Sequence, residues 1–191
     1  MLLRRKNYLF ITIILVIVYM HIGTGLYSDD FVYLNNVPNW TLSSHKILWS
    51  GPQYYLNTPF FLFYIVQIYL IGNNFILYDL IKIIVLLFSL LLTYRFLVDY
   101  ISKYRAILIS VFFILYPIHD ATNYCPINQY LVITAALVMY AHTLINAERY
   151  FAGLFVGLFA SFFSYASPPM VFGLSIIFLL KKNYKRFTLF I

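Results

Sequence analysis

The sequence predicts an all-α fold, a polytopic transmembrane bundle of about six spans with interfacial helices in its first outer loop, and three observations predict it. The 191 residues are 63% hydrophobic and only 10% charged, whereas an ordinary soluble domain carries about 25% charge. Apolar runs close to the roughly 17 to 25 residues that cross a hydrocarbon core recur along the chain. The thirteen Lys and Arg residues cluster at the ends of those runs instead of forming one patch, so the net charge of +7 points to membrane topology and not to nucleic acid.

The first run covers residues 8–26 and follows Arg4, Arg5 and Lys6. Gly23, Thr24 and Gly25 give its end a faint likeness to a signal-peptide cleavage site, but the run is long and has no A-x-A pattern, so a retained anchor is expected. The next run, 60–71, is short and is bracketed by Asn57-Thr58-Pro59 and Gly72-Asn73-Asn74, which suits an interfacial or re-entrant helix. Runs at 75–98, 106–118 and 127–145 follow. The last, 150–180, would be about 46 Å long as one helix, too long for a single span. Ser167-Pro168-Pro169 is expected to divide it by a turn, because proline lacks an N–H and its predecessor avoids the α region.

Charge decides the status of 60–71. If it spans the membrane, Lys103, Arg105 and the cluster Lys181, Lys182, Lys185 and Arg186 fall on the side opposite Arg4-Arg5-Lys6, against the preference of Lys and Arg for cytoplasmic loops. If it lies at the outer interface, the spans become 8–26, 75–98, 103–118, 127–145, 150–166 and 169–180. Arg4, Arg5, Lys6, Arg95, Lys103, Arg105, Arg149, Lys181, Lys182, Lys185 and Arg186, eleven of the thirteen, are then cytoplasmic, as is the N-terminus. The second topology is expected. It leaves Lys46 and Lys82 toward the outside, together with Asp29, Asp30, Asp79 and Asp120.

The outer face holds the candidate chemistry. Asp29-Asp30 opens a long outer stretch, residues 27–74. Adjacent carboxylates repel, so one of them can accept a proton or hold a cation, although a solvated helix cap is the plainer reading. Trp40, His45, Lys46 and Trp49 have the mixed character of a helix at headgroup level. Asp79 and Lys82 are spaced for an ion pair on one helix face, the alternative being a ligand role. His119-Asp120 pairs a proton shuttle with an anion, or is an ordinary loop. His21 and His142 fall within spans and are expected to be packed, hydrogen-bonded residues. Cys125 is the single cysteine, which excludes an intramolecular disulfide.

In order, Asp29-Asp30, the aromatic proline segment Tyr55-Leu56-Asn57-Thr58-Pro59-Phe60 with Leu70-Ile71-Gly72-Asn73-Asn74-Phe75, then Tyr116-Pro117-Ile118-His119-Asp120-Ala121, and Arg149-Tyr150-Phe151 through Ser164 to Pro169, resemble the amino-terminal part of the GT-C membrane glycosyltransferases, the O-mannosyltransferases above all. The resemblance implies a single module over residues 1–191 that transfers a sugar from a polyprenyl-phosphate donor to an acceptor at the outer face. It implies that Asp29 or Asp30 is the catalytic base or helps hold a divalent metal, Mg or Mn, and that the second loop, with His119 and Asp120, positions the donor phosphate; where the family's cation is missing, Lys46 or Lys82 is the candidate partner of the phosphate, with Asp79 a further candidate for substrate binding. It also implies residence in the plasma membrane, or the endoplasmic reticulum of a eukaryote. Two departures stand beside it. Ser167-Pro168-Pro169 lacks the cationic residue that the family turn offers to phosphate, and members continue beyond the point where this chain stops, so a fragment or a degenerate copy is expected. The alternative is a non-catalytic lipid-binding or scaffold subunit. A transporter fits less well, since its ionisable groups would sit near the bilayer midplane.

Overall fold

The structure, a computed structural model, describes residues 2–26, 34–35, 66–115, 129–161 and 167–190. Every regular element among them is helical. In chain order they are α1 (Leu2–His21), α2 (Phe75–Leu97), α3 (Lys103–Leu115), α4 (Gln129–Asn146), α5 (Tyr150–Ser161), α6 (Ser167–Leu180) and α7 (Tyr184–Phe190). A further helical stretch covers 66–71. It is the described end of the expected interfacial run, whose first part lies outside the described residues.

Among the described residues, two helices are long and apolar enough to cross a membrane, α2 and α4. The 23 residues of α2 extend about 34 Å, against a hydrocarbon core of about 30 Å. Tyr8–His21, Tyr150–Ser161 and Pro169–Leu180 are shorter apolar helices.

The side chains of α2 divide by polarity between an inward and an outward face. Its buried stripe runs Asp79, Lys82, Ile83, Leu86, Ser89, Leu90, Thr93 and Phe96, recurring at three and four residues. The polar residues of the helix middle therefore face protein. Meanwhile Leu80, Ile84, Phe88 and Leu91 are exposed by 49%, 63%, 47% and 52%. Water would penalise that outward apolar face, whereas hydrocarbon solvates it at no cost.

The helix α4 is the hub. It packs on α2, α5, α6 and α7, and most of its residues are buried. Ala135, Ala136 and Ala141 keep its surface low, so neighbouring backbones approach closely. Leu92, Leu137, Val138, Ile145, Ala160, Phe178 and Phe190 join the α2, α4, α5, α6 and α7 side of the core. On the other side, Ile13 and Ile17 of α1 meet Ile83, Leu86 and Leu90 of α2, Ile114 of α3 and Val132 of α4.

Short connections at 98–102, 147–149 and 181–183 join consecutive helices. Two close with the same hydrogen-bond pair. After α4, the Glu148 N–H donates to Ile145 O at 3.0 Å and Arg149 N–H to Leu144 O at 2.9 Å. After α6, Lys182 N–H donates to Leu179 O and Asn183 N–H to Phe178 O, both at 2.9 Å. This is the Schellman ending, which places one residue in the left-handed region, normally glycine. Here Glu148 (φ 64) and Lys182 (φ 55) occupy it. Lys182→Gly is accordingly expected to stabilise the protein by roughly 0.5–1 kcal/mol, a rise in melting temperature that thermal unfolding in detergent measures.

Two expectations change. Ser167, Pro168 and Pro169, expected to form a turn, instead open a helix: α6 begins at Ser167 and carries both prolines in its first turn, while residues 162–166 lie outside the described residues. Initial N–H groups of a helix lack partners anyway, so proline costs little at that position. The second addition is α7, which no long apolar run announced.

Candidate functional site at the start of α2

The sequence between α1 and α2 brings together a loop and a charge pair. After α1 the chain turns through Gly23 (φ 82) and Gly25 (φ 55). That left-handed backbone aims successive N–H groups inward, a concavity suited to an anion. Asp79, one turn into α2, fills it: Gly23 N–H donates to Oδ2 at 2.7 Å and Gly25 N–H to Oδ1 at 2.7 Å. A side chain at position 25 would also meet Phe75, with its Cβ 3.1 Å from the Phe75 Cβ.

Lys82 completes the arrangement from one turn further along. Its Nζ lies 2.9 Å from Asp79 Oδ1, donates to Thr24 Oγ1 at 2.6 Å and donates to the Gly25 carbonyl. The Thr24 hydroxyl has one proton, directed at His21 O at 2.7 Å; Asp79 Oδ1 is 3.2 Å away. The His21 carbonyl thus joins the cluster through Thr24, while its ring turns to its own helix, with Nδ1 2.8 Å from Ile17 O. Lys82 and His21 are fully buried and Asp79 is 3% exposed. Each charge thus meets its opposite and several dipoles, the condition under which buried ions persist in a low-dielectric interior.

Of the candidate residues, the structure brings Asp79 and Lys82 into contact with each other and with the α1 loop. Asp29, Asp30, Lys46, His119 and Asp120 lie outside the described residues. Among the described residues there is no group of three or more His, Cys, Asp or Glu that could hold a metal ion. Gly23, Thr24 and Gly25, which the sequence offers only as small residues near a span end, are the cradle of the Asp79 carboxylate. A Gly-x-Gly directly after an apolar run was their available signal.

A second cluster surrounds His142, at the far end of α4. Its ring stacks on Phe178 with centroids 4.1 Å apart and planes 11° apart, and meets Phe96 and Phe190 edge-on, each at 5.5 Å. The Tyr100 hydroxyl lies 3.3 Å from Nδ1. Burial, with the Asp99 charge adding to it, pushes the Tyr100 phenol up to about 12. Lys181 Nζ sits 4.8 Å above the Tyr100 ring and Lys185 Nζ 5.2 Å above Tyr150. Arg186 bridges Asn146 and Glu148, 3.0 Å to each. These contacts dock α7 under α4 and explain why so short a helix forms.

Comparison with family models, curated proteins and solved structures gave no match for the chain. Fold and site define its class by themselves: a helical protein with, among the described residues, two helices long and apolar enough to cross a membrane, and a buried ion pair on α2 that binds the loop after α1.

Proposed function

We propose that the chain is an integral membrane module of about six spans with a cytoplasmic N-terminus, and that it transfers a sugar from a polyprenyl-phosphate donor to an acceptor at the outer face, in the plasma membrane or the endoplasmic reticulum. The observation that carries the reading is the clamp of Gly23 and Gly25 on Asp79. It pins the root of the outer loop, and Asp29 is four residues beyond Gly25. Four residues of chain reach at most about 14 Å, so Asp29 is tethered to Gly25, which in this reading suits a catalytic acid beside a lipid-borne substrate.

In this reading Asp29 or Asp30 accepts the proton of the acceptor hydroxyl. That oxygen bonds to the anomeric carbon as the bond to the donor phosphate oxygen breaks, and the lipid phosphate leaves with the electron pair. The leaving anion needs a positive partner. Lys82 is buried among Thr24, Gly25 and Asp79, which favours Lys46 for that part, with His119 and Asp120 helping to orient the donor. Asp29 and Asp30 have the oxygen chemistry that Mg or Mn prefers, and such an ion would supply further charge to the leaving phosphate.

Replacing both with asparagine, Asp29→Asn and Asp30→Asn, in the full-length gene product should abolish transfer from a labelled polyprenyl-phosphate sugar in proteoliposomes. Undiminished transfer would overturn the assignment. A second reading, a non-catalytic lipid-binding or scaffold subunit, is favoured by the mutual compensation of Asp79 and Lys82; it predicts that the unaltered protein shows no transfer at all.

A further inference from the structure

We infer that the inner half of the bundle holds an anionic phospholipid of the cytoplasmic leaflet in a groove between α1, α2 and α3. The inference rests on the membrane-spanning reading and its orientation, and not on sugar transfer. The groove has a volume of about 320 Å³ and an almost wholly apolar lining that includes Ile14, Leu87, Leu91, Tyr94, Ile107 and Val111. Because α2 packs on both α1 and α3, it forms the floor and they form the walls. A concave apolar surface at this depth takes an acyl chain, the molecule that surrounds it.

Charge selects among lipids. Residues four apart on a helix share a face, so Arg95 extends the row of Leu91, and Lys103 precedes Ile107 on the groove side of α3. Both cations are exposed, at the cytoplasmic end of the groove, and Tyr94 lines the groove just above them. The described ion pairs are Asp79–Lys82 and Arg186–Glu148, so neither Arg95 nor Lys103 has its charge offset by such a pair. Asp99, the nearest acid in sequence, is exposed in the turn beyond α2. A headgroup phosphate would sit between two cations with its chain in the groove, and each cation near an anionic lipid is worth about fivefold in affinity.

The test uses the full chain purified in detergent, with native mass spectrometry counting retained phosphatidylglycerol and phosphatidylcholine. Retention of phosphatidylglycerol at a several-fold lower concentration is expected. Arg95→Gln with Lys103→Gln should remove that preference, and Leu91→Trp, which fills the groove from its rim, should remove retention of both lipids. Lys181→Gln with Lys182→Gln should leave the preference intact. Equal retention of the two lipids, a preference that survives Arg95→Gln/Lys103→Gln, or one that vanishes with Lys181→Gln/Lys182→Gln overturns the proposal. Resistance of the membrane-bound chain to alkaline carbonate extraction tests the spanning reading separately. Release by carbonate would overturn both, whereas lost lipid selectivity in a carbonate-resistant chain overturns the groove alone.

Discussion

Asp79→Ala is expected to destabilise the protein by about 3–5 kcal/mol, the cost of stranding a buried charge. The variant leaves Lys82 fully buried without its carboxylate and leaves the Gly23 and Gly25 N–H groups without the acceptor they now share. The double variant Asp79→Asn/Lys82→Met should recover much of the loss. Its amide oxygen still accepts a glycine N–H, and no buried charge is left uncompensated. Thermal or denaturant unfolding in detergent micelles measures both. An Asp79→Ala protein as stable as the parent would show that the pair holds nothing together.

The second large effect lies between α4 and α5. A Cβ at Gly153 would stand 2.5 Å from Ile145 Cγ1 and 3.1 Å from the Ala141 carbonyl oxygen, separations that packed atoms do not sustain. Gly153→Ala should therefore cost about 1–3 kcal/mol by forcing the helices apart. Ile145→Ala, which empties a core position but clears the nearer contact, should cost less in the Gly153→Ala background than in the parent, and the unfolding midpoints of the single and double variants measure that coupling. Gly157, one turn on, has only an ordinary contact at 3.8 Å with Ala141, so Gly157→Ala should instead stabilise by about 0.5–1 kcal/mol, as alanine does in a helix interior.

What was legible in the sequence followed from properties that accumulate over many residues. The hydropathy run at 75–98 is the helix Phe75–Leu97, and 127–145 is Gln129–Asn146. In these helices a strong apolar signal extends over several turns. Pro168 and Pro169 were read as breakers, although proline breaks a helix only where an N–H is needed; in the first turn of α6 none is. The helix Tyr184–Phe190 was invisible because seven residues carry little periodicity of their own. What holds it is Phe190 against His142 and Arg186 against Asn146 and Glu148, partners some forty residues distant.

The candidate site divides along the same line. The spacing of Asp79 and Lys82 announced an ion pair, and the pair is there. Its other half, Gly23 to Gly25, is more than fifty residues away in sequence, and backbone N–H donors leave no mark in composition. The clustering of Lys and Arg at the ends of apolar runs is visible in the sequence, whereas the apolar groove that Arg95 and Lys103 adjoin forms only when α1, α2 and α3 pack together.

The clamp also bears on how this protein can vary. Gly25 lies against Phe75, so the two ends of the stretch 26–74 stand close together. A segment whose two ends are already joined adds little closure entropy when it lengthens, because that term grows only as the logarithm of length. Insertions within that stretch are therefore expected to cost the α1–α2 contact little, a tolerance that the unfolding midpoints of lengthened variants measure.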